Sequence, residues 1–215
     1  MSDLTLYIGN KNYSSWSLRP WIAMEATGIA FKERLIPFDF PAGNPRFFEI
    51  SPVGRVPALH HGSLVIHESL AIIEYVAELF PEAGLWPDDR AERALARAIS
   101  AEMHAGFTAL RGACPMSFRR KPEAIAVSDA VKRDVARIET IWREAIERSG
   151  GPFLFSTFTA ADAMFAPVVN RFEVFDLVTD EATLAYMSVM RSLPAYQRWR
   201  DGALAESWIV PEDEV

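Results

Sequence analysis

The sequence has very few of the residues that build disulfide frameworks and metal sites. Among its 215 residues there is one cysteine, Cys114, which excludes an internal disulfide and a CxxC redox pair. Pro115 and apolar neighbours surround it, which suits a buried, inert thiol better than a nucleophile. The four histidines show neither an HExxH motif nor another metal-ligand spacing. We therefore expect no metal site and no reactive thiol of the chain's own.

Basic clusters and long apolar runs are also scarce. The net charge is −7 and the Lys and Arg residues are scattered, whereas nucleic-acid binding needs clustered positive charge. The one basic run, Arg119, Arg120 and Lys121, is interpreted as a solvated helix end, with an acidic ligand as the alternative. No stretch approaches the roughly 18 to 20 apolar residues that span a bilayer, and the first residues lack the basic region of a signal peptide. We expect a cytoplasmic protein that binds neither nucleic acid nor membrane.

The first eighty residues alternate between strand and helix patterns. Leu4 to Ile8 is a short apolar run that predicts a buried strand. A helical stripe follows from Ser17 and ends at Gly28, and residues 31–37 predict a second strand, which closes a βαβ unit. The Pro- and Gly-rich segment 38–52 is predicted to be a loop with one short helix.

A different pattern follows this loop. The apolar stretches VPAL and SLVI flank His60, His61 and Gly62, which predicts a β-hairpin. SLAIIEYVAELF then places its apolar residues on one helical face. The resulting order, βαβ followed by ββα, is the thioredoxin-like plan.

The rest of the chain has helical patterns. PEAGLWPDD, at residues 81–89, is dense in residues that break helices and strands. We therefore predict an α/β plus all-α fold, with a thioredoxin-like domain over residues 1–82, a linker over 83–89 and a helical bundle domain over 90–215. Thr159 and Asp162 form a capping box at the start of one helix. The predicted helices span approximately residues 90–110, 123–149, 160–175 and 193–204.

The turn between the first strand and the first helix carries serines where the thioredoxin-like plan holds reactive thiols. Ser14 and Ser17 occupy this turn, and without a cysteine it cannot perform dithiol exchange. A hydroxyl at the start of a helix can still donate a hydrogen bond to a thiolate. The thiol would have to be supplied by a ligand.

Two further features indicate which ligand this is. Val56 and Pro57 resemble the cis-proline pair that exposes the main-chain groups of the first residue to an extended peptide. Glu68 and Ser69 stand at the start of the third helix, where unpaired N–H groups attract a carboxylate, and Glu68 could hold an ammonium beside it. A carboxylate and an ammonium on one carbon describe the γ-glutamyl end of glutathione.

Over essentially its whole length the chain resembles the cytosolic glutathione S-transferases. The pattern of a zeta-like, serine-type bacterial member is resembled by YSSWSLRPWIAM. The glutathione-binding signature is resembled by GRVPAL together with HESLAIIEY, and the capping box of the helical domain by TAADAMFAP. The resemblance implies that glutathione is the co-substrate, that the protein is a homodimer, and that Ser14 activates the thiol. Ser15 either helps or caps the helix. Arg55 either pairs with the glycyl carboxylate or is a solvated loop residue.

The resemblance also implies a pocket for an electrophile. Trp16 stands where the zeta pattern has a cysteine, and it would narrow the mouth of this pocket or form its wall. The other wall would come from a long helix that carries His104, Phe107, Thr108 and Arg111. For His104, a satisfied interhelical role is the alternative.

Three functions remain open at this point. The first is a glutathione transferase that acts on small hydrophobic electrophiles, as in detoxification. The second is a glutathione-dependent cis-trans isomerase of the maleylacetoacetate type, whose acidic substrates would need a cationic pocket formed by Arg111, Arg119 or Arg120. The third is a non-catalytic ligand carrier or interaction module with the same fold.

Overall fold

A computed structural model describes residues 3–38 and 44–215 of the chain. Over these ranges, the first half contains a four-stranded sheet and three α-helices, and the second half is helical. In chain order the elements of the first half are β1 (Leu4–Ile8), α1 (Ser15–Ala26), β2 (Lys32–Leu35), α2 (Arg46–Ile50), β3 (Ala58–His61), β4 (Leu64–His67) and α3 (Ser69–Leu79). Those of the second half are α4 (Arg90–Ala105), α5 (Thr108–Ala113), α6 (Asp129–Ser149), α7 (Ala160–Val174), α8 (Glu181–Ser192) and α9 (Pro194–Ala205).

The sheet has the strand order β2-β1-β3-β4. β1 pairs with β2 in parallel, whereas β3 is antiparallel to both β1 and β4. The parallel pair is the βαβ unit, and the β3–β4 hairpin leads directly into α3. The predicted thioredoxin-like order and the change to a helical second half are therefore confirmed. The proposed domain boundaries at residues 82 and 90 stay a prediction; a short 3₁₀ turn, Pro81–Ala83, lies between α3 and α4.

Two helix predictions were wrong in detail, and one helix was missed. The helix predicted over residues 90–110 is two helices, because α4 ends at Ala105 with Gly106 as its C-cap, and Phe107 adopts a left-handed conformation with φ 56° before α5 begins. Helix α6 begins at Asp129 rather than at residue 123, since the Ser128 side chain accepts a hydrogen bond from the Val131 N–H. Helix α8 was not predicted at all, although Asp180 caps it by accepting from the Thr183 N–H at 2.9 Å.

Helix α7 is the centre of the second half and packs against α1 of the first half. Every residue of α7 except Glu173 is buried. The predicted capping box is confirmed at its start, where the Asp162 carboxylate accepts from the N–H and the hydroxyl of Thr159. The same carboxylate accepts from the Leu154 N–H and the Tyr186 hydroxyl. One continuous core, which contains the fully buried Trp142 and Trp199, therefore joins the two halves.

Within residues 3–38 and 44–215, no helix combines the length and the apolar character needed to cross a bilayer.

Candidate functional site

Two adjoining cavities lie next to the start of α1. The large cavity has a volume of about 710 Å³ and is lined by Ser14 and Ser15 together with residues of α5, α7 and the C-terminal segment. The small cavity has a volume of about 220 Å³ and is lined by Pro57, Glu68 and Ser69. The residues that line both cavities are Trp16, Arg55, Val56 and Arg111. The structure therefore brings the predicted serines and the predicted ligand-holding residues to one continuous cleft.

The serine hydroxyls belong to a short hydrogen-bond chain. Ser14 directly precedes α1, and its hydroxyl donates to Ser17 Oγ at 2.7 Å. Ser17 Oγ also accepts from the Gly9 N–H at 3.1 Å. Ser15 is the first residue of α1, and its hydroxyl has no hydrogen-bond partner in the described part of the chain. Ser17 lies in the predicted turn, but nothing in the sequence shows that it positions Ser14.

The turn before Ser14 is held by the C-terminal part of the chain. The Glu206 carboxylate accepts from the main-chain N–H groups of Lys11 and Asn12, at 2.6 Å and 3.1 Å. The Trp199 indole donates to the Lys11 carbonyl at 2.9 Å, and the Arg119 N–H donates to Asn12 Oδ1 at 3.0 Å. Residues far along the sequence thus hold the turn that leads to the serines.

The small cavity contains a buried hydroxyl without a partner. Ser69 begins α3 and is 1% exposed, and its Oγ makes no hydrogen bond within the described ranges. Glu68 precedes it with φ 70°, a conformation that non-glycine residues rarely adopt and that is typical of functional sites. An unpaired hydroxyl at a helix N-terminus, where N–H groups also lack partners, is suited to bind a carboxylate.

Beside Ser69, the loop before β3 offers main-chain groups. The Val56-Pro57 peptide bond is cis, as the sequence pattern suggested. The N–H and C=O of Val56 take part in no hydrogen bond of the described residues. Arg55 is exposed and lines both cavities. An extended peptide in the cleft could therefore pair with the Val56 main chain and end near the Arg55 guanidinium.

Trp16 lines both cavities and is covered by cationic side chains. The guanidinium carbon of Arg19 lies 4.2 Å from the centroid of the Trp16 ring, and that of Arg111 lies 4.5 Å from it. The His104 ring meets the Trp16 ring edge-on at 5.2 Å. Since guanidinium groups over an indole face are favourable, Trp16 stabilises the positions of Arg111, which lines the cleft, and of the fully buried Arg19.

The residues predicted to form the far wall of the pocket have different positions. Thr108 and Arg111, both on α5, line the large cavity. Phe107, whose backbone is left-handed, is 7% exposed and belongs to the hydrophobic core. His104 lies on α4 outside both cavity linings, with Nε2 3.7 Å from a Glu68 carboxylate oxygen. Burial and the Arg19 and Arg111 charges lower the His104 pKa, although Glu68 opposes this shift.

Arg119 and Arg120 do not supply a cationic wall to the large cavity. Arg119 donates to the Tyr13 hydroxyl and to the Trp208 carbonyl, and Arg120 donates to the Val215 carbonyl. These two arginines therefore hold the C-terminal segment. Arg171, which was not a candidate from the sequence, lines the large cavity instead.

The large cavity is also lined by two charged groups of opposite sign. Arg171 is 4% exposed and donates through Nε to the Cys114 carbonyl at 2.8 Å, and burial lowers its pKa to about 10. Asp213, in a 3₁₀ turn of the C-terminal segment, lines the same cavity, and burial raises its pKa.

Cys114 is itself fully buried, and burial raises the pKa of its thiol, so it is unsuited to be a nucleophile. The described residues contain no group of three His, Cys, Asp or Glu side chains that could hold a metal.

Known proteins with the same fold include glutathione transferases. A glutathione transferase homologue from Burkholderia GL BGR1, solved with bound glutathione, has a TM-score of 0.72 and 23% identity, and the match covers 96% of this chain and 100% of that one. Among relatives by sequence, glutathione S-transferase L1 of Arabidopsis thaliana is 26% identical over 159 residues, which is 73% of this chain and 62% of that protein. A probable maleylacetoacetate isomerase of Caenorhabditis elegans is 28% identical over 195 residues, which is 89% of this chain and 90% of that protein. The chain thus spans less than two thirds of the length of the first relative, 62%, but nearly all of the second.

Family models agree with these likenesses in both halves of the chain. Residues 13–79 match the glutathione S-transferase N-terminal domain, and residues 122–202 match the glutathione S-transferase C-terminal domain. The first match contains the serine turn, the Val56-Pro57 pair and Glu68–Ser69, and the second contains α7. With both domain models in the expected order on a matching fold, the chain belongs to the glutathione S-transferase family.

Proposed function

We propose that the protein is a zeta-like glutathione transferase that activates the thiol of bound glutathione with the Ser14 hydroxyl. The observation that carries the proposal is the continuity of the cleft, which joins the unpaired, buried Ser69 hydroxyl to the Ser14–Ser17 pair. One end of the cleft suits an amino acid head group, and the other presents hydroxyls where a thiol would lie.

Glutathione would lie across both cavities. Its γ-glutamyl carboxylate is received by the Ser69 hydroxyl and the free N–H groups of α3, where the helix dipole favours negative charge. Its ammonium lies near the half-exposed Glu68 carboxylate. The cysteinyl main chain pairs with Val56, and the glycyl carboxylate reaches Arg55. This orientation directs the cysteine side chain towards the serines.

The serine turn then stabilises the thiolate. A free thiol has a pKa of about 8.5, and lowering it by about two units requires roughly 2.7 kcal/mol of preferential stabilisation. Because hydroxyl protons can rotate, Ser17 can donate to Ser14 Oγ while it still accepts from the Gly9 N–H. The Ser14 proton is then free to point at the sulfur. A charge-assisted hydrogen bond together with the N-terminus of α1 supplies a stabilisation of this size.

The thiolate attacks an electrophilic carbon in the large cavity. In a substitution, the new carbon–sulfur bond forms as the leaving group departs with the electron pair of its bond.

A second candidate function is cis-trans isomerisation, in which the thiolate adds to a double bond and leaves after rotation. The likeness to the probable isomerase of C. elegans and the arginines of the large cavity favour it. Isomerisation regenerates glutathione and conjugation consumes it, so the amount of free glutathione during turnover distinguishes the two. As the family resemblance implies, we further propose a cytoplasmic homodimer.

Serine variants test the proposal. In Ser14→Ala, kcat/KM for conjugation of an aryl halide should fall about 10- to 100-fold because a hydrogen bond to a charged sulfur is lost. The rise of kcat/KM with pH should also move to higher pH. Ser15→Ala, which removes the neighbouring hydroxyl of the same cavity, is the matched control and should lower kcat/KM less.

Three results would change the assignment. Equal activity of Ser14→Ala and the wild type would exclude Ser14 as the activating group. A loss confined to Ser15→Ala would transfer that role to Ser15. Glutathione binding measured by calorimetry without turnover of any electrophile would favour the ligand-carrier function instead.

A further inference from the structure

Another cavity lies in the helical half of the protein, away from the serine turn. It has a volume of about 160 Å³, and its walls come from residues 118–122 and from helices α7, α8 and α9. It shares no lining residue with either cavity of the glutathione cleft. We call it the α7–α9 cavity.

The lining of the α7–α9 cavity carries more positive than negative charge. Three arginines line it, whereas Glu173 is the one carboxylate among the described residues of the lining; the arginines are Arg120, Arg191 and Arg200. Arg191 pairs with Glu173 at 2.6 Å. Arg200 makes an exposed contact of 3.3 Å with Asp201, which is not part of the lining, and such contacts contribute little. Two positive charges are therefore not balanced within the cavity.

Arg120 belongs to the basic run at residues 119–121, for which an acidic ligand is the alternative to a solvated helix end. Its Nη1 donates to the Val215 carbonyl, and its guanidinium carbon lies 4.5 Å from the centroid of the Phe175 ring. These contacts give the side chain a defined position. Its Nε is nevertheless buried without a hydrogen-bond partner, and in the described ranges Arg120 forms no ion pair. An anion in the cavity would supply the missing acceptor.

Tyr196 adds a buried hydroxyl that also lacks a partner. This third residue of α9 lines the cavity and is 2% exposed, and its Oη makes no hydrogen bond within the described part of the chain. Its ring packs against the Phe118 ring, with 5.6 Å between the centroids. A buried tyrosine hydroxyl normally has a hydrogen-bond partner, because an unsatisfied one costs free energy. A ligand in the cavity is therefore its natural partner.

The charged groups of the lining act directly on this hydroxyl. Burial and the Glu173 charge raise the pKa of Tyr196. The charges of Arg191 and Arg200 lower it. The hydroxyl thus lies close to these groups, and because its pKa is raised it keeps its proton and can donate it in a hydrogen bond.

The size and the charge of the cavity indicate the class of ligand. A volume of about 160 Å³ is well below the roughly 300 to 1,000 Å³ of pockets for larger organic ligands. Guanidinium groups bind phosphate oxygens through paired N–H donors, and a neutral hydroxyl can donate to a further oxygen. A doubly charged phosphate would also balance the two unpaired positive charges of the lining.

We propose that the α7–α9 cavity binds a phosphate group through Arg120, Arg200 and the Tyr196 hydroxyl. The phosphate is either the inorganic ion or the phosphoryl group of a small monoester. Since the cavity lies outside the glutathione cleft, this site goes beyond the proposed function and does not depend on it.

Calorimetric titration of the full chain with inorganic phosphate tests the site. Sodium chloride keeps the ionic strength constant, so that general screening does not change during the titration. Phosphate affinity should fall about tenfold or more in Tyr196→Phe, because a hydrogen bond to a charged group is lost. Arg200→Met should lower it to a similar extent. The control Arg198→Met removes a charge from the same helix, but Arg198 pairs with Glu25 and does not line the cavity, so its phosphate affinity should equal that of the wild type.

Thermal unfolding gives a second readout that a structural role of the hydroxyl would not produce. Without phosphate, Tyr196→Phe should be at least as stable as the wild type, because it removes an unsatisfied buried group. Phosphate should then raise the Tm of the wild type more than that of Tyr196→Phe, since a ligand stabilises the folded state that binds it. Lower stability of Tyr196→Phe together with an unchanged phosphate effect would show a structural hydroxyl and overturn the inference.

The remaining outcomes are equally distinct. Absence of phosphate binding by the wild type would overturn the inference, and so would an affinity that Tyr196→Phe and Arg200→Met both leave unchanged, because the ion would then bind elsewhere. An equal loss in Arg198→Met would show a general charge effect and also overturn it. If Tyr196→Phe does not fold, Arg200→Met, which changes an exposed residue, decides the matter.

A second titration separates the two sources of the phosphate group. Glycerol 3-phosphate that binds more tightly than inorganic phosphate would indicate a monoester, whereas weaker binding would indicate the free ion. Phosphate binding with the predicted variant effects would support the site even if the protein conjugates no glutathione, and glutathione conjugation without phosphate binding would refute the site alone.

Discussion

Replacing Asp162 by asparagine should change how the stability of the protein depends on pH. The Asp162 carboxylate is fully buried at the start of α7 and accepts hydrogen bonds from Leu154, Thr159 and Tyr186. Burial raises its pKa from 3.8 to about 6, although these hydrogen bonds oppose the shift. In the unfolded chain the pKa returns to its ordinary value of about 3.9.

The direction of the pH effect follows from proton binding. Between about pH 4 and 6 the folded protein binds a proton at Asp162 that the unfolded chain releases, so protonation favours the folded state in this range. A difference of about two pKa units corresponds to roughly 3 kcal/mol. The contribution of Asp162 to stability should therefore be greatest near pH 4 and should be lost as the pH rises through about 6.

Urea unfolding at several pH values measures this effect. The free energy lost in Asp162→Asn should be larger at about pH 4 than at pH 7, by roughly 3 kcal/mol. Asp180→Asn is the control, because Asp180 is an exposed cap of α8 whose pKa is lowered by hydrogen bonds from the Thr183 N–H. Its cost should instead increase with pH. A cost of Asp162→Asn that also increases with pH would show that the four hydrogen bonds dominate over burial, and would refute the reasoning.

Two further predictions concern ligand affinity and the core. Glu68→Gln should weaken glutathione binding about tenfold in calorimetry, since the ligand's ammonium loses an anionic partner. The control Glu78→Gln, on the exposed side of α3, should bind glutathione as the wild type does. Equal glutathione affinities of Glu68→Gln and the wild type would place the ammonium elsewhere. Trp199→Ala should lower the free energy of unfolding by about 3 to 5 kcal/mol because it removes a fully buried indole. The control Arg137→Ala removes an exposed ion pair with Glu102 and should lower the free energy of unfolding by less than about 1 kcal/mol. A Trp199 effect as small as that of Arg137 would contradict the close packing of the core.

Patterns that act over a few residues were sufficient to predict the first half of the fold. A short apolar run predicts β1, and two apolar stretches on either side of a turn predict the hairpin. The position of Glu68 and Ser69 at the start of α3 follows from the helical stripe after them. The break at Gly106 and Phe107 was missed because apolar residues continue at helical spacing through it. Helix α8 was missed although Asp180 and Thr183 form a recognisable cap.

The charged part of the large cavity's lining could not be predicted in the same way. Arg171 and Asp213 are distant in sequence, and only the packing of α7 and the C-terminal segment brings them to one cavity. From the sequence, Arg111, Arg119 and Arg120 are the candidates for a cationic pocket, and of these three only Arg111 lines the large cavity. Likewise, Ser17 positions Ser14 through a hydrogen bond that depends on the turn geometry.

The clamp on the turn at Lys11 and Asn12 has a consequence for protein engineering. Its anchoring groups, Glu206, Trp199 and Arg119, all come from the second half of the chain. A fragment restricted to the first half would keep both serines but lose the carboxylate and indole that orient them. Hybrids made by exchanging halves between family members should therefore retain catalytic competence only when the donor half carries matching anchors.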